Sequence, residues 1–244
     1  MPASALKTAA ALLRDARHVV VFTGAGMSAD SGMATFRTGR NRLWGEGRVE
    51  RLANLEGYLA NADEAWRWYD WRHRKARDAE PHAGYHAINR LATPERTVTV
   101  VTQNVDGLHH RAGNPDVHEL HGTLRDVKCA RCGTVTEWPA EEHAQVPRCA
   151  CGGVLRPNVV LFGEDLPVDV WRGAIRAAER ADVLLSVGTS HLVQPAASIP
   201  EHTWRRGGRI VVVNTRESDT LPGAILLRGR AERMLTALVD ALEP

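Results

Sequence analysis

Four cysteines, all within one short segment of the chain, have the spacing of metal ligands. Cys129 and Cys132 form a C-x-x-C pair, and Cys149 and Cys151 follow as a C-x-C pair. Two pairs of thiolates joined by a loop suit a tetrahedral zinc ion, and four protein ligands leave no position for water. The spacing therefore predicts one structural Zn²⁺, with two disulfides or an iron–sulfur cluster as alternatives. A free-standing zinc ribbon can bind nucleic acid, so the cysteines alone do not select a function.

A glycine turn near the N-terminus has the chemistry of a nucleotide-binding loop. An apolar run leads into TGAGMSA, in which Gly24, Gly26 and Ala29 fit the dinucleotide pattern G-x-G-x-x-G/A. This pattern predicts NAD. A hydride-transferring dehydrogenase also needs a second strand that ends in an acidic residue about 20 positions later. Glu46 and Glu50 lie at that distance, but in a polar segment rich in Arg and Gly. The dehydrogenase interpretation is therefore disfavoured.

The elements that would position these residues are short apolar runs without polar alternation. They are HVVVF, VTVV, VLLSV, RIVVV and AILL, at 18–22, 98–101, 183–187, 209–213 and 224–227. Such runs are typical of strands buried on both faces of a parallel sheet, and helical patterns at 169–180 and 231–242 indicate an α/β fold. Small polar residues (TGAG, TQNVDG, GTS and NT) follow four of the runs. Because ligands bind at the carboxyl ends of such strands, these residues predict a ligand crevice.

Two segments do not fit the sheet pattern and predict a second, smaller domain. Residues 40–92 are helical in character, and residues 125–157 hold all the cysteines. We expect a helical insertion and a zinc-ribbon module that pack together. Residues 1–39, 93–124 and 158–244 then form a Rossmann-like, NAD-binding parallel-sheet domain.

Composition argues against several classes of function. Lys and Arg number 31 and Asp and Glu 29, which gives a net charge of +2 with no basic stripe for nucleic acid. No apolar run reaches membrane-spanning length, and the N-terminal residues fit an amphipathic helix better than a signal peptide. With no cysteine available for a disulfide framework elsewhere, we expect a cytoplasmic location.

Several longer motifs now resemble one enzyme family. They are GAGMSADSGMATFR, TQNVDGLHHRAG, HG, RPNVVLFGE, VGTSHLVQPAA and VNT, in one order together with the four cysteines. The chain resembles the sirtuins, NAD-dependent protein-lysine deacylases, from residue 8 to residue 242. The resemblance implies that NAD is consumed: the acyl oxygen of a modified lysine attacks the nicotinamide ribose, and nicotinamide leaves. It implies that His121 is the general base on a ribose hydroxyl, with Asn104 also assigned to catalysis.

The resemblance also assigns the NAD-binding residues. The glycine turn would present backbone groups to the phosphates, and the other residues would cover the reacting centre and hold the nicotinamide ribose, phosphates and adenosine. They are Gly24, Ala25, Gly26, Ser28, Phe36, Arg37, Gln103, Asn104, Asp106, Gly188, Thr189, Ser190, Asn214, Thr215 and Ala231.

Within the family, the motif WYDWR implies the acyl group. Tyr69 and Arg72 are three residues apart and so share one face of a helix, where a phenol and a guanidinium can hold a carboxylate. Sirtuins with this pair remove succinyl and malonyl groups, and we expect acetyl removal as well. Thr35 and the small Ala53 agree with that branch. Packing of the tryptophans and a solvated Arg72 are the alternative interpretation.

The resemblance implies that an acyl-lysine peptide lies as an extended strand between two segments. One contains Phe162, Gly163 and Glu164, and the other contains Val193. Ala34 and Leu161 depart from common family residues, near the cofactor loop and the peptide groove. The competing functions are protein ADP-ribosyl transfer, a zinc-ribbon nucleic-acid-binding protein and an NAD-sensing module without turnover.

Overall fold

The protein is built around a six-stranded parallel sheet with strand order β3-β2-β1-β7-β8-β9. In this computed structural model, the structure describes residues 3–34, 51–216 and 221–242. The strands of this sheet are β1 His18–Thr23, β2 Thr97–Thr102, β3 Val117–Glu119, β7 Val183–Val187, β8 Arg209–Asn214 and β9 Ile225–Arg228. The five predicted strands and the α/β class are thus confirmed, and the short edge strand β3 is an addition.

The central strands are apolar on both faces because each face packs against a separate core. In β1, Val19 and Val21 belong to one buried cluster, whereas Val20 and Phe22 belong to another. The predicted helices at 169–180 and 231–242 are confirmed, and they pack on opposite faces. The helices are α1 Ala3–Asp15, α2 Ala25–Ser28, α3 Leu55–Ala60, α4 Ala62–Asp78, α5 Ala83–Leu91, α6 Leu108–Arg111, α7 Val168–Arg180, α8 Ile199–Arg205 and α9 Ala231–Asp240.

A three-stranded antiparallel sheet lies beside the large one. Its strands are β4 Gly122–Cys129, β5 Val135–Glu137 and β6 Leu155–Val159, in the order β5-β4-β6. Together with α3 and α4 it buries a third core. Trp138 stacks on Trp66, with ring centroids 5.2 Å apart, and on His73, at 4.4 Å. This stack fixes the small sheet to α4.

The packing of α5 differs from the expected division into domains. Tyr85, Ile88 and Leu91 of this helix lie in the core of the large sheet. The last helix of the segment 40–92 thus packs on the large sheet, and the division into two domains stays a prediction. Phe36 and Arg37, and also Thr35, lie outside the described residues.

The order in which the chain adds strands to the large sheet reverses at β1, although all the strands are parallel. The chain passes from β1 to β2 and β3 on one side, and then crosses to β7, β8 and β9 on the other. Such a switch point opens a crevice at the carboxyl ends of the strands. Among the described residues, no helix is long and apolar enough to cross a membrane.

Candidate active site

One cavity of about 850 Å³ lies at the carboxyl ends of β1, β2, β7 and β8. It brings together residues that are far apart in the sequence. Of the predicted site residues, those in its wall are Gly24, Ala25, Gly26, Ala53, Tyr69, Arg72, Gln103, Asn104, His121, Phe162, Gly163, Glu164, Gly188, Thr189, Ser190, Val193, Asn214, Thr215 and Ala231.

The glycine turn packs directly against the loop that follows β7. Gly26 N donates to Gly188 O at 2.8 Å, and Gly24 N donates to Val187 O at 3.0 Å. A Cβ atom on Gly26 would lie 2.7 Å from the Gly188 backbone, and Gly188 itself has φ +61°. Glycine is needed at both positions, since any side chain would separate the two loops.

Ser28 and Asp106 lie behind the cavity wall, in a buried polar network. The Ser28 hydroxyl donates to Asp106 Oδ2 at 2.7 Å and lies 2.9 Å from the Tyr85 hydroxyl. Asn104 Nδ2 donates to Ser28 Oγ at 2.9 Å and to Gly24 O at 3.0 Å. Burial raises the pKa of Asp106, and hydrogen bonds from Ser28 and the Leu108 amide lower it in part. The network fixes the orientation of Asn104, whose amide oxygen remains available as an acceptor.

The imidazole of His121 is fixed in one tautomer. Its Nδ1 lies 3.1 Å from Gln103 O, which can only accept, so Nδ1 carries the proton. Nε2 therefore has a free lone pair, in a residue that lines the cavity. Burial lowers the pKa of His121, and the bond to Gln103 raises it in part. His121 is thus a neutral base at neutral pH.

Side chains from three strand ends are joined across the cavity floor. Gln103 Nε2 donates to Thr189 Oγ1 at 2.9 Å, and Asn214 Nδ2 donates to Thr189 O at 3.0 Å. Thr215 N donates to Asn214 Oδ1 at 2.8 Å. The loops after β2, β7 and β8 therefore form one rigid surface for a ligand with several polar groups.

Tyr69 and Arg72 enter the cavity from α4. Tyr69 is 2% exposed, and burial raises its pKa to about 12, so it remains a phenol. The half-buried guanidinium of Arg72 lies 4.9 Å from the Trp68 ring centroid and 5.5 Å from that of Tyr69. Within the described part of the chain, no carboxylate pairs with it. Arg72 is therefore not a solvated surface residue, and among the nearby tryptophans only Trp66 is fully buried packing.

The segment 162–164 forms one wall beside this pocket. Phe162 N donates to Ala53 O at 2.7 Å, which ties the two segments together. Glu164 accepts from Leu161 N at 2.8 Å and from the buried Arg156 at 2.5 Å. Val193 lies in the wall of the same cavity, in the loop that contains the cis Gln194–Pro195 bond.

The four cysteines come together as predicted. Their sulfur atoms all lie within 4.8 Å of one another, with 3.6 Å between Cys129 and Cys151 and 3.8 Å between Cys132 and Cys149. A tetrahedron with metal–sulfur bonds of about 2.3 Å has edges of about 3.8 Å. All four are free thiols, which excludes the two-disulfide alternative. The cluster could therefore hold one zinc ion.

Sequence reasoning did not identify several residues at the site. Asp30 and Arg230 line the cavity, and Arg156 supports its wall. His191 has a φ of +55°, and its Nε2 lies 2.7 Å from Ser186 Oγ. This contact anchors the loop after β7. Only Arg156 has a local signal, because it follows two apolar residues in VLRPNVVLF, where a buried arginine needs a partner.

The chain is similar to known proteins along most of its length. The model of the Sir2 family matches residues 24–195. "NAD-dependent protein deacylase 2" of Pyrobaculum aerophilum is 45% identical over 235 residues, which is 95% of this chain and 94% of that protein. "NAD-dependent protein deacylase" of Methylococcus capsulatus is 43% identical and covers 95% of each chain.

Solved structures agree with these relatives. A Sir2 homologue in complex with NAD has a TM-score of 0.89 and 40% identity, over 97% of this chain and 93% of that one. A mutant Sir2 homologue in complex with 2′-O-acetyl ADP ribose also has a TM-score of 0.89, with 41% identity, over 99% and 96%. Sir2Af2 bound to a myristoylated histone peptide has a TM-score of 0.79 and 30% identity, over 98% and 97%.

Proposed function

The chain belongs to the Sir2 family, and we propose that it is an NAD-dependent protein-lysine deacylase that removes succinyl and malonyl groups as well as acetyl groups. The relatives named NAD-dependent protein deacylase support the reaction class. The choice of acyl group depends on one observation: in the wall of the cavity, next to the Tyr69 phenol, lies a half-buried Arg72 that no carboxylate of the described residues pairs with.

NAD is a co-substrate in this reaction, and the cavity supports binding it across the strand ends. The glycine turn and the loop after β7 would bind the phosphates, while Asn214 and Thr215 would bind the adenine ribose. Gln103 and Asn104 would hold the nicotinamide ribose. The acyl oxygen of the lysine attacks the ribose carbon that carries nicotinamide, and nicotinamide leaves. A ribose hydroxyl then adds to the acyl carbon, the bond from that carbon to the lysine nitrogen breaks, and water replaces, on the acyl carbon, the oxygen left on the ribose, so the final products are nicotinamide, free lysine and O-acyl-ADP-ribose.

His121 would act as the general base. With Nδ1–H directed to Gln103 O, only Nε2 can take a proton, and it does so from a ribose hydroxyl. The lowered pKa keeps this nitrogen unprotonated at neutral pH. The Asn104 amide oxygen can accept from a ribose hydroxyl, because both Nδ2 protons are used within the protein.

The acyl pocket would recognise a carboxylate through two donors. A guanidinium can donate two parallel hydrogen bonds to a carboxylate, and the phenol can donate a third. The small, buried Ala53 lies in the same cavity wall and leaves room for a four-carbon acyl group. An acetyl group makes none of these bonds, yet it fits the same space.

The acylated partner would bind as an extended peptide between the segment 162–164 and the loop that contains Val193. The Sir2Af2 complex, which contains a histone peptide, supports a peptide as partner. The four cysteines would hold a structural zinc ion, which fixes β4 and β6 relative to each other. We place the enzyme in the cytoplasm, because a reducing environment keeps these thiols reduced and able to bind zinc.

The test is nicotinamide release from NAD with one peptide in two forms, acetyl-lysine and succinyl-lysine, with mass spectrometry of the peptide. Removal of succinyl at a rate comparable to or above that of acetyl would support the full proposal. Removal of acetyl alone would leave the deacylase and contradict the acidic-acyl pocket. Nicotinamide release without change in either peptide would favour ADP-ribosyl transfer. The His121→Ala variant is the control for enzyme-dependent turnover.

A further inference from the structure

Asp30 is a buried carboxylate in the wall of the same cavity. It follows the glycine turn in a single 3₁₀ turn, and its side chain is only 4% exposed. Asp30 lines the cavity together with Gly229, Arg230 and Ala231. Ala231 was assigned to the adenine from the resemblance, so Asp30 lies beside the proposed position of the purine.

The two oxygens of Asp30 have different surroundings. Oδ2 accepts from Glu232 N at 3.4 Å, at the start of α9. Oδ1 is buried and makes no hydrogen bond with any described residue. The Arg230 guanidinium, which is 74% exposed, approaches Oδ1 to 2.9 Å but without hydrogen-bond geometry. Oδ1 therefore has an ionic partner but no hydrogen-bond donor, and a ligand in the cavity can reach it once the exposed Arg230 side chain moves aside.

A buried acceptor without a donor is costly, and a ligand that supplies the donor gains affinity there. NAD offers one strong donor at the adenine end, the exocyclic 6-amino group. A carboxylate oxygen can only accept, so it would accept from a 6-amino purine and repel the carbonyl of a 6-oxo purine. The Asp30 carboxylate can thus accept a hydrogen bond from the amino group of adenine, whereas it repels the carbonyl oxygen of hypoxanthine.

We propose that Asp30 determines purine specificity by accepting a hydrogen bond from the adenine 6-amino group of NAD. Arg230 balances the charge of Asp30 from the solvent side. The inference rests on the proposed function, since it concerns the co-substrate of that reaction. It assigns to Asp30 a selective role in binding and no role in the chemical step.

The test compares NAD with nicotinamide hypoxanthine dinucleotide, which differs in having a 6-oxo purine. We expect kcat/KM of the wild-type protein to be at least about 10-fold lower with the hypoxanthine form, as for loss of a charge-assisted hydrogen bond. Asp30→Asn keeps the shape and an oxygen for Glu232 N, while its amide can also donate. This variant should accept both dinucleotides within about threefold.

Equilibrium binding separates this inference from the proposed function. Titration calorimetry with ADP-ribose and with inosine diphosphate ribose should show the same preference, without any turnover. Equal binding of the two by the wild-type protein, or an unchanged preference in Asp30→Asn, would overturn the role of Asp30. Absence of deacylation with NAD would instead contradict the proposed function, while leaving the binding preference measurable.

Two controls distinguish the expected result from a loss of folding. Asp15→Asn makes the same charge change at an exposed site and should keep the wild-type preference for ADP-ribose. The melting temperature of Asp30→Asn should stay close to that of the wild type. A large fall would direct the test to Asp30→Glu, which keeps the carboxylate and should retain a preference for adenine.

Discussion

Replacement of Arg72 by Met should separate desuccinylation from deacetylation. The methionine keeps an unbranched chain of similar length, so packing on the Trp68 ring is largely retained. What is lost is a half-buried guanidinium that pairs with no carboxylate among the described residues. Loss of one member of a buried charge pair costs ~2–5 kcal/mol, and ~1.4 kcal/mol corresponds to a factor of ten. We therefore expect kcat/KM for a succinyl-lysine peptide to fall by roughly 30-fold to over 10³-fold.

The acetyl-lysine form of the same peptide is the internal reference. Its kcat/KM should change by less than about threefold, because an acetyl group has no carboxylate for Arg72 to bind. Tyr69→Phe removes one neutral donor worth about 1 kcal/mol and should reduce desuccinylation by only about fivefold. Arg77→Met removes the same charge from an exposed part of α4 and should affect neither activity. Equal losses on both peptides in Arg72→Met would refute the acyl-pocket role.

Three further predictions concern the base, a buried histidine and the metal. His121→Ala should abolish turnover and retain ADP-ribose binding, as measured by calorimetry. Because burial lowers the His121 pKa, kcat/KM of the wild type should fall only as pH drops below 6.5. A fall centred above that pH would contradict the buried position of His121. Burial lowers the pKa of His109 from 6.5 to about 4, so this neutral histidine stabilises the fold above pH 6.5 and loses that contribution as pH falls toward 4. Between these limits, the denaturant-derived free energy of unfolding should fall by up to about 3 kcal/mol more in the wild type than in His109→Gln; parallel curves would exclude the effect. The purified protein should contain one zinc ion per chain by elemental analysis, and Cys149→Ser should lower both metal content and melting temperature; full stability without metal would exclude a structural role.

The large sheet could be predicted from the sequence because its strands are continuous apolar runs. In β7 every residue is buried, so no alternation obscures the signal. The small sheet lacks that signal: β5 is exposed along its whole length, and β4 mixes buried and charged residues. The edge strand β3 has only three residues. These elements depend on contacts with their neighbours, which no local pattern shows.

The site was predictable where function requires particular residues in a local motif. The glycine turn, the residues after β2, and His121 are of this kind, and the cavity brings them together. Asp30 was missed because its partners, Arg230 and Glu232, are distant in sequence. Ser28 and Asp106 were predicted at the site, but only the structure places them behind its wall. A sequence motif identifies a residue of the site, whereas the distance of that residue from the cavity and its burial depend on the fold.

The surroundings of Arg72 also bear on why one pocket would accept both acidic and neutral acyl groups. A half-buried arginine with no carboxylate in direct contact would lose hydration, and so free energy, whenever acetyl-lysine occupied the site. Burial lowers the pKa of Arg72, but the carboxylate of Asp106 acts on it through space in the opposite direction. Asp106 is held in place by Ser28 and the Leu108 amide, so this compensation is present before any substrate binds. In the proposed function, a succinyl carboxylate would add direct hydrogen bonds to a cation that is already stabilised, which would favour acidic acyl groups without excluding acetyl.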